Sequence, residues 1–246
     1  MDDNQNRIID EFLRNKQDNI VILSDSLSLP RVDSDETILL RESYPYLLEK
    51  KIGNDMKIIN RGIRFATTDL LQNFQYLFDN LLIYSPKTVI IQMGIVDCAP
   101  RLFSPLFRSL INRIPNKIIR DSFILPFKRS RRFFTKHFQI KMVDKDRFEK
   151  NLELFLSKME EFNINVVIVN IPKTSLENNE KSFNFNKSIT EYNEKINNLM
   201  SIYKFNLIDI YDHSKIEDIL LEDGIHYNKK GCEAVASMLY ESVRKI

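Results

Sequence analysis

The chain has 246 residues, of which 43% are hydrophobic and 28% charged, a composition that suits a globular domain with a sizeable core and excludes a disordered chain. A net charge of +2 selects no partner class by itself, five glycines argue against phosphate-cradling glycine loops, and two cysteines, Cys98 and Cys232, cannot form a disulfide framework. Residues 1–5 are acidic and polar, unlike a signal peptide, and no apolar run approaches the roughly 18 residues of a membrane span, so a cytoplasmic location with reduced thiols is expected.

In chain order, residues 19–23 are apolar and β-branched and read as a first strand. Ser43, with Pro45 in the first turn and Gly53 at the end, frames a short helix. Residues 56–60 form a second strand. Leu70, Leu71, Phe74, Leu77, Phe78, Leu81 and Leu82 then make an apolar stripe at helical spacing. Residues 88–93 form a third strand. Further helical stripes run from Phe148 through Leu152, Phe155 and Met159 to Phe162, and from Phe185 through Ile189, Tyr192, Ile196 and Met200 to Tyr203, with a fourth strand at 164–170 between them. A fifth strand at 205–210 precedes a last helix, capped by Asn228 and striped by Cys232, Val235, Ala236, Leu239, Tyr240 and Val243. Strands alternating with helices imply an α/β fold with a parallel sheet and right-handed crossovers.

Between Asp97 and Asp144 no strand can be placed. Residues 101–141 hold eleven Lys and Arg against one acid, Asp121, interleaved with Phe and Leu and divided by Pro105, Pro115 and Pro126. This reads as a basic insertion, at about 99–144, in a single domain spanning 1–246. It is either a solvated surface excursion or a lid that attracts an anionic partner or membrane surface. Nucleic acid fits less well, because the basic residues are confined to one segment and no nucleic-acid module is present.

Ligands of open α/β sheets bind outside the carboxyl ends of the strands. The segments found there are Ser24-Asp25-Ser26-Leu27-Ser28 after the first strand, Asn60-Arg61-Gly62 after the second, and Gly94-Ile95-Val96-Asp97 after the third. Asp223-Gly224-Ile225-His226 precedes the last helix. A serine hydroxyl needs a base, and the base needs a carboxylate to fix its tautomer. His226 and Asp223 can supply both to Ser26 from one turn, and amides at the serine turn and at Gly62 can bind an oxyanion. Singly, each piece has a bland reading as a cap or a turn. Their order and placement together carry the argument.

These four segments resemble the blocks of the SGNH (GDSL-like) hydrolases: the Gly-Asp-Ser-Leu block at 24–28, the oxyanion glycine at Gly62, the Gly-x-Asn-Asp block at 94–97 and the Asp-x-x-His block at 223–226. The resemblance implies a three-layer flavodoxin-like sandwich, a five-stranded parallel sheet between helices. It also implies deacylation of esters or acyl transfer, with Ser26 as nucleophile, His226 as base, Asp223 as its orienting acid and the Ser26 and Gly62 amides in the oxyanion hole. No cofactor or metal is implied. The expected activity is removal of an acyl group, acetyl foremost, from a glycan or small polar ester. An O-acyltransferase using the same serine, or a catalytically degenerate glycan-binding protein, are the alternatives.

Two positions depart from the pattern. Ser24 replaces the first glycine of its block, and Val96 stands where the family has an asparagine that donates to the oxyanion. Asn60, Arg61, Arg64 and Arg101 are the candidate substitute donors, and replacement is favoured because Ser26, Asp223 and His226 are all present. Asp25 and Asp97 read as structural carboxylates, Cys98 as a small buried residue, and Glu222 as a less suitable substitute for Asp223. His137 and His213 lie outside the four loops.

Overall fold

The computed structural model describes residues 12, 16–32, 36–211 and 216–246. Five strands, β1 (Gln17–Ser24), β2 (Lys57–Asn60), β3 (Pro86–Gln92), β4 (Asn165–Val169) and β5 (Asn206–Ile208), pair in parallel in the order β2-β1-β3-β4-β5. Ile20, Val21, Ile22 and Leu23 are wholly buried, as are Val89 and Ile90 beside them, because β1 and β3 are covered on both faces. All five expected strands are present, within two residues of the bounds read from the sequence.

The order places a topological switch between β1 and β3. From β1 the chain turns outward to β2, then crosses back over β1 to β3 and continues to β5. The loops leaving β1 and β3 diverge there and open a crevice at the carboxyl edge.

Among the described residues the α-helices are α1 (Tyr44–Ile52), α2 (Phe74–Asn80), α3 (Ile95–Cys98), α4 (Pro105–Asn112), α5 (Lys117–Arg129), α6 (Arg131–Phe138), α7 (Lys145–Glu161), α8 (Leu176–Lys181), α9 (Phe185–Ile202) and α10 (Lys229–Val243). Helix α1 packs on α10 and α7 on α9. With right-handed crossovers these pairs form the two helical layers of the sandwich. The stripes read from the sequence face inward: Phe148, Leu152, Phe155 and Met159 on α7, Ile189, Tyr192 and Ile196 on α9, and Val235, Ala236 and Leu239 on α10 are buried.

Local signals were mostly, but not entirely, realised. Asn228 caps α10 by accepting from the Gly231 N–H at 2.9 Å. Gly53 ends α1 at φ 75°. Ser43 precedes α1, but its hydroxyl donates to the Leu40 carbonyl instead of capping. The 70–82 stripe is not one helix. It is a 3₁₀ turn at Thr68–Gln72, then α2, then a 3₁₀ turn at Leu82–Tyr84. Asn73 explains the break, since its side chain accepts from the Tyr76 N–H and starts α2 afresh.

The basic insertion contains α4, α5 and α6. An antiparallel bridge closes its base, with the Arg101 N–H on the Ile140 carbonyl at 2.8 Å. Helix α5 buries no residue at all, α4 buries only Ile111, and α6 only Thr135.

Candidate active site

Strand β1 ends at Ser24, and the chain turns at once into a 3₁₀ turn, Ser26–Ser28. Asp25 caps that turn, accepting from the Leu27 N–H at 2.9 Å. Burial raises the Asp25 carboxyl to about 7, opposed by the Leu27 hydrogen bond and reinforced by Asp97. Asp25 is therefore wholly buried and tied to its own turn, while Ser26 next to it is half-buried.

The second element is the loop before α10. Gly224 takes φ 64°, and a Cβ there would lie 2.0 Å from the Ser175 hydroxyl oxygen, so both conformation and space require glycine. Its carbonyl accepts from the Ser175 N–H at 3.0 Å and the Thr174 hydroxyl at 2.7 Å. The Asn178 side chain, on α8, donates to the Asp223 carbonyl. Asp223 Oδ1 accepts from the Ile225 and His226 N–H groups, both at 2.9 Å. The loop is thus pinned from outside by α8 and from inside by its own aspartate.

These two elements meet. Ser26 Oγ lies 2.9 Å from His226 Nε2, and His226 Nδ1 lies 2.5 Å from Asp223 Oδ2. With its proton on Nδ1, donated to Asp223, the imidazole leaves the Nε2 lone pair for the Ser26 hydroxyl. Burial works against the Asp223 anion, but hydrogen bonds from the His226 ring and from the His226 and Ile225 amides win and hold its carboxyl well below the usual carboxylate range. Glu222, next to it, is exposed, and the carboxylate on Nδ1 is that of Asp223.

Gly62 sits against the serine turn. A Cβ at this position would lie 2.2 Å from Ser28 Oγ and 3.2 Å from the Asp25 carbonyl oxygen, so glycine is what lets the two loops touch. The Gly62 N–H donates to Asn60 Oδ1 at 3.1 Å. Asn60 also accepts from the Ser28 hydroxyl and donates to the Ser28 carbonyl, both at 3.0 Å. It ties the two loops together.

The other candidate donors point elsewhere. Arg61 donates to Asn80 Oδ1 from Nε at 3.0 Å and Nη2 at 2.8 Å. Arg64 donates to the Pro30 carbonyl at 3.1 Å. Arg101 donates to the carbonyl of Val96 itself at 2.9 Å, and its buried Nε has no hydrogen-bond partner among the described residues. Val96 is buried in α3, and nothing in its side chain can replace an amide donor.

Asp97 accepts from the Thr68 N–H at 2.9 Å and the Thr68 hydroxyl at 2.6 Å, and burial raises its carboxyl to about 6. Burial likewise pushes the Cys98 thiol up, and Cys232 to about 12, which leaves both as unreactive thiols. His137 lies on exposed α6 and donates to the Phe133 carbonyl, and His213 lies outside the described residues. Among the described residues no group of three His, Cys, Asp or Glu could hold a metal ion.

Sequence reading missed Arg31. Its Nη2 lies 3.3 Å from Asp223 Oδ2 and 2.9 Å from His226 Nδ1, and the side chain is mostly buried. An antiparallel bridge to Ile38 holds its backbone. No motif contains it, and only the folded chain brings it to the histidine.

A flavodoxin-like α/β sheet with a Ser-His-Asp row at its switch point is the layout of a serine acyl hydrolase. The model of the GDSL-like Lipase/Acylhydrolase family matches residues 34–234, and the chain belongs to that family. The match begins after Ser26, so the geometry carries the serine. No curated protein matches the sequence. Similar solved structures include the lipase/acylhydrolase from Enterococcus faecalis, at TM-score 0.64 and 16% identity, covering 92% of this chain and 95% of that one. The esterase EstA from Pseudoalteromonas sp. aligns at TM-score 0.58 and 17% identity, covering 93% and 98%. A catalytic mutant of an acetylxylan esterase from Geobacillus stearothermophilus aligns at TM-score 0.60 and 12% identity, covering 93% and 95%. At these identities the likeness is one of fold.

Proposed function

We propose that this protein is a serine-dependent ester hydrolase that removes an acyl group, acetyl foremost, from a carbohydrate or similarly polar substrate. The observation that carries this reading is the hydrogen-bonded row Ser26, His226, Asp223. Ser26 Oγ attacks the ester carbonyl as His226 Nε2 takes its proton. Asp223 holds the ring and offsets the charge that forms. His226 then returns the proton to the leaving alcohol, which gives an acyl-enzyme on Ser26. Water, deprotonated by the same nitrogen, releases the acid. The oxyanion would take the Ser26 amide, together with the Gly62 amide once Asn60 yields it. The acetyl and carbohydrate parts draw on the family's common chemistry and on the acetylxylan esterase among similar folds.

A second reading, a glycan-binding protein with a degenerate site, is favoured by Val96 and by the Gly62 amide already bonded to Asn60. Hydrolysis of p-nitrophenyl acetate by the wild type and by Ser26→Ala separates the two, with the octanoate ester as a measure of pocket depth. Turnover that disappears in Ser26→Ala supports the hydrolase. Without turnover, labelling of Ser26 by a fluorophosphonate points to an O-acyltransferase that lacks its acceptor, and the absence of labelling points to the binding protein.

A further inference from the structure

The insertion carries more net positive charge than the whole chain. Residues 101–141 hold eleven Lys and Arg against one acid, a net of +10, while the whole chain is only +2, so the remainder is −8 with 25 basic and 33 acidic residues. On α4, α5 and α6 this charge is mixed with large apolar side chains that face solvent. Leu106 is 81% and Ile118 76% exposed, and Leu110, Ile119, Phe133 and Phe138 are exposed with them. A 13-residue helix without a single buried residue, like α5, has an apolar surface that the rest of the described residues do not cover.

Beside these side chains, Phe103, Phe107, Phe123, Phe127, Phe134 and Phe138 form a chain of ring contacts, with centroids 4.9–6.0 Å apart. Most of them line an apolar recess of about 350 Å³. Leu106, Leu110, Ile118 and Ile119 take no part in this cluster and face solvent, and Phe107, Phe123 and Phe138 within it face solvent too.

We propose that α4, α5 and α6 dock the protein onto an anionic lipid bilayer. Charge complementarity selects the occupant. A second copy docked through the same helices would set +10 against +10, which repels. Phosphate-rich nucleic acid would meet the Lys and Arg but leave Leu106, Leu110, Ile118 and Ile119 in water. A bilayer with anionic headgroups satisfies both, since cations pair with headgroups while aliphatic and aromatic side chains enter the acyl boundary.

The docking helices also touch the segments that flank the candidate site on both sides. The Arg108 guanidinium lies over the Phe65 ring, 5.8 Å from its centroid, three residues past Gly62. On the other side Arg132 donates to the Glu180 carbonyl at 2.5 Å, and Arg131 to the Ser182 hydroxyl at 2.6 Å. These partners sit in and just after α8, whose Asn178 holds the Asp223 loop. Docking would set the mouth of the site at the lipid–water boundary. The inference goes beyond the hydrolase reading and does not depend on turnover.

The test is flotation of the Ser26→Ala protein with vesicles of phosphatidylcholine alone or of phosphatidylcholine mixed with anionic phosphatidylglycerol. Binding to the anionic vesicles, absent with neutral ones and weakened by high salt, is the expected result. Substituting Arg113, Lys117, Lys128 and Arg129 by Gln should lower partitioning by more than about 100-fold, at about fivefold per charge. Substituting Leu106, Leu110, Ile118 and Phe133 by Ser should lower it at least about tenfold. Circular dichroism of both variants checks the fold, and the exposed positions chosen leave the core intact. No binding to anionic vesicles, binding that ignores either set of substitutions, or tight binding to duplex DNA in preference to vesicles would overturn the proposal. A catalytically dead protein that still floats would separate this result from any failure of the hydrolase reading.

Discussion

Arg31 and His226, 195 residues apart in sequence, meet with Nη2 2.9 Å from Nδ1, the same nitrogen that faces Asp223. A guanidinium only donates, so Nδ1 cannot keep its proton for Asp223 and also accept from Arg31. The Asp223 contact is the one that leaves Nε2 free for Ser26. Arg31 therefore donates to the Asp223 carboxylate and holds it against the ring. In Arg31→Ala that donor is lost, and on the proposed mechanism kcat for p-nitrophenyl acetate should fall by about tenfold, the worth of one hydrogen bond to a charged group. Arg31→Lys should restore part of it. An unchanged kcat would mean that Arg31 only fills space.

Asp223 sets the tautomer. In Asp223→Asn the amide can donate to Nδ1, which drives the ring proton to Nε2, where it faces Ser26 and blocks the base. We expect kcat to fall by about 10⁴-fold with KM nearly unchanged, as the loss of a triad carboxylate does elsewhere. Because its folded carboxyl is held below the usual range, the stability that Asp223 contributes is present above pH ~4 and is lost as pH falls further. Steady-state kinetics of the variant check the first statement, and acid unfolding curves of wild type and variant the second.

On the proposed mechanism Val96 stands where a donor to the oxyanion would be expected, and Asn60, Arg61 and Arg64 have their side chains engaged elsewhere. Val96→Asn should raise kcat on the acetyl ester by about 10- to 100-fold, approaching the effect of one oxyanion donor. Because Val96 is buried, the same change should cost about 1–2 kcal/mol of stability. An unchanged kcat would show that another group already fills that role.

Asp25 gives the opposite pH dependence from Asp223. Its carboxyl is raised from 3.8 to about 7, chiefly by burial, so the folded state keeps a proton that the unfolded state has lost. Between about pH 4 and pH 7 the unfolded chain binds fewer protons, and stability falls as pH rises. Asp97, raised to about 6, acts in the same direction. Asp25→Asn keeps an acceptor for the Leu27 N–H and cannot ionise. Relative to wild type, its Tm should gain steadily from pH 4 to pH 7 and then level off. A difference that is constant across that range would place the charge of Asp25 elsewhere.

The sequence determined the layers. Runs such as Ile20–Leu23 and the stripe on α7 have no other low-energy place than a sheet covered on both faces and a helix facing it, and both appear where their periodicity put them. The four loops were legible for the same reason, because strand ends are local features and the chemistry-bearing residues follow them directly. Local rules failed where two signals competed, as at Asn73, whose capping side chain cut an apolar stripe in two. Only the tertiary structure decided which groups share an atom. It put Arg31 on the histidine, Asn60 on the Ser28 turn and Asn178 on the Asp223 loop, and among the described residues it left α5 without a covering layer. These are contacts between segments tens to hundreds of residues apart. They are fixed by how the crossovers close around the sheet, and no spacing within the chain encodes them.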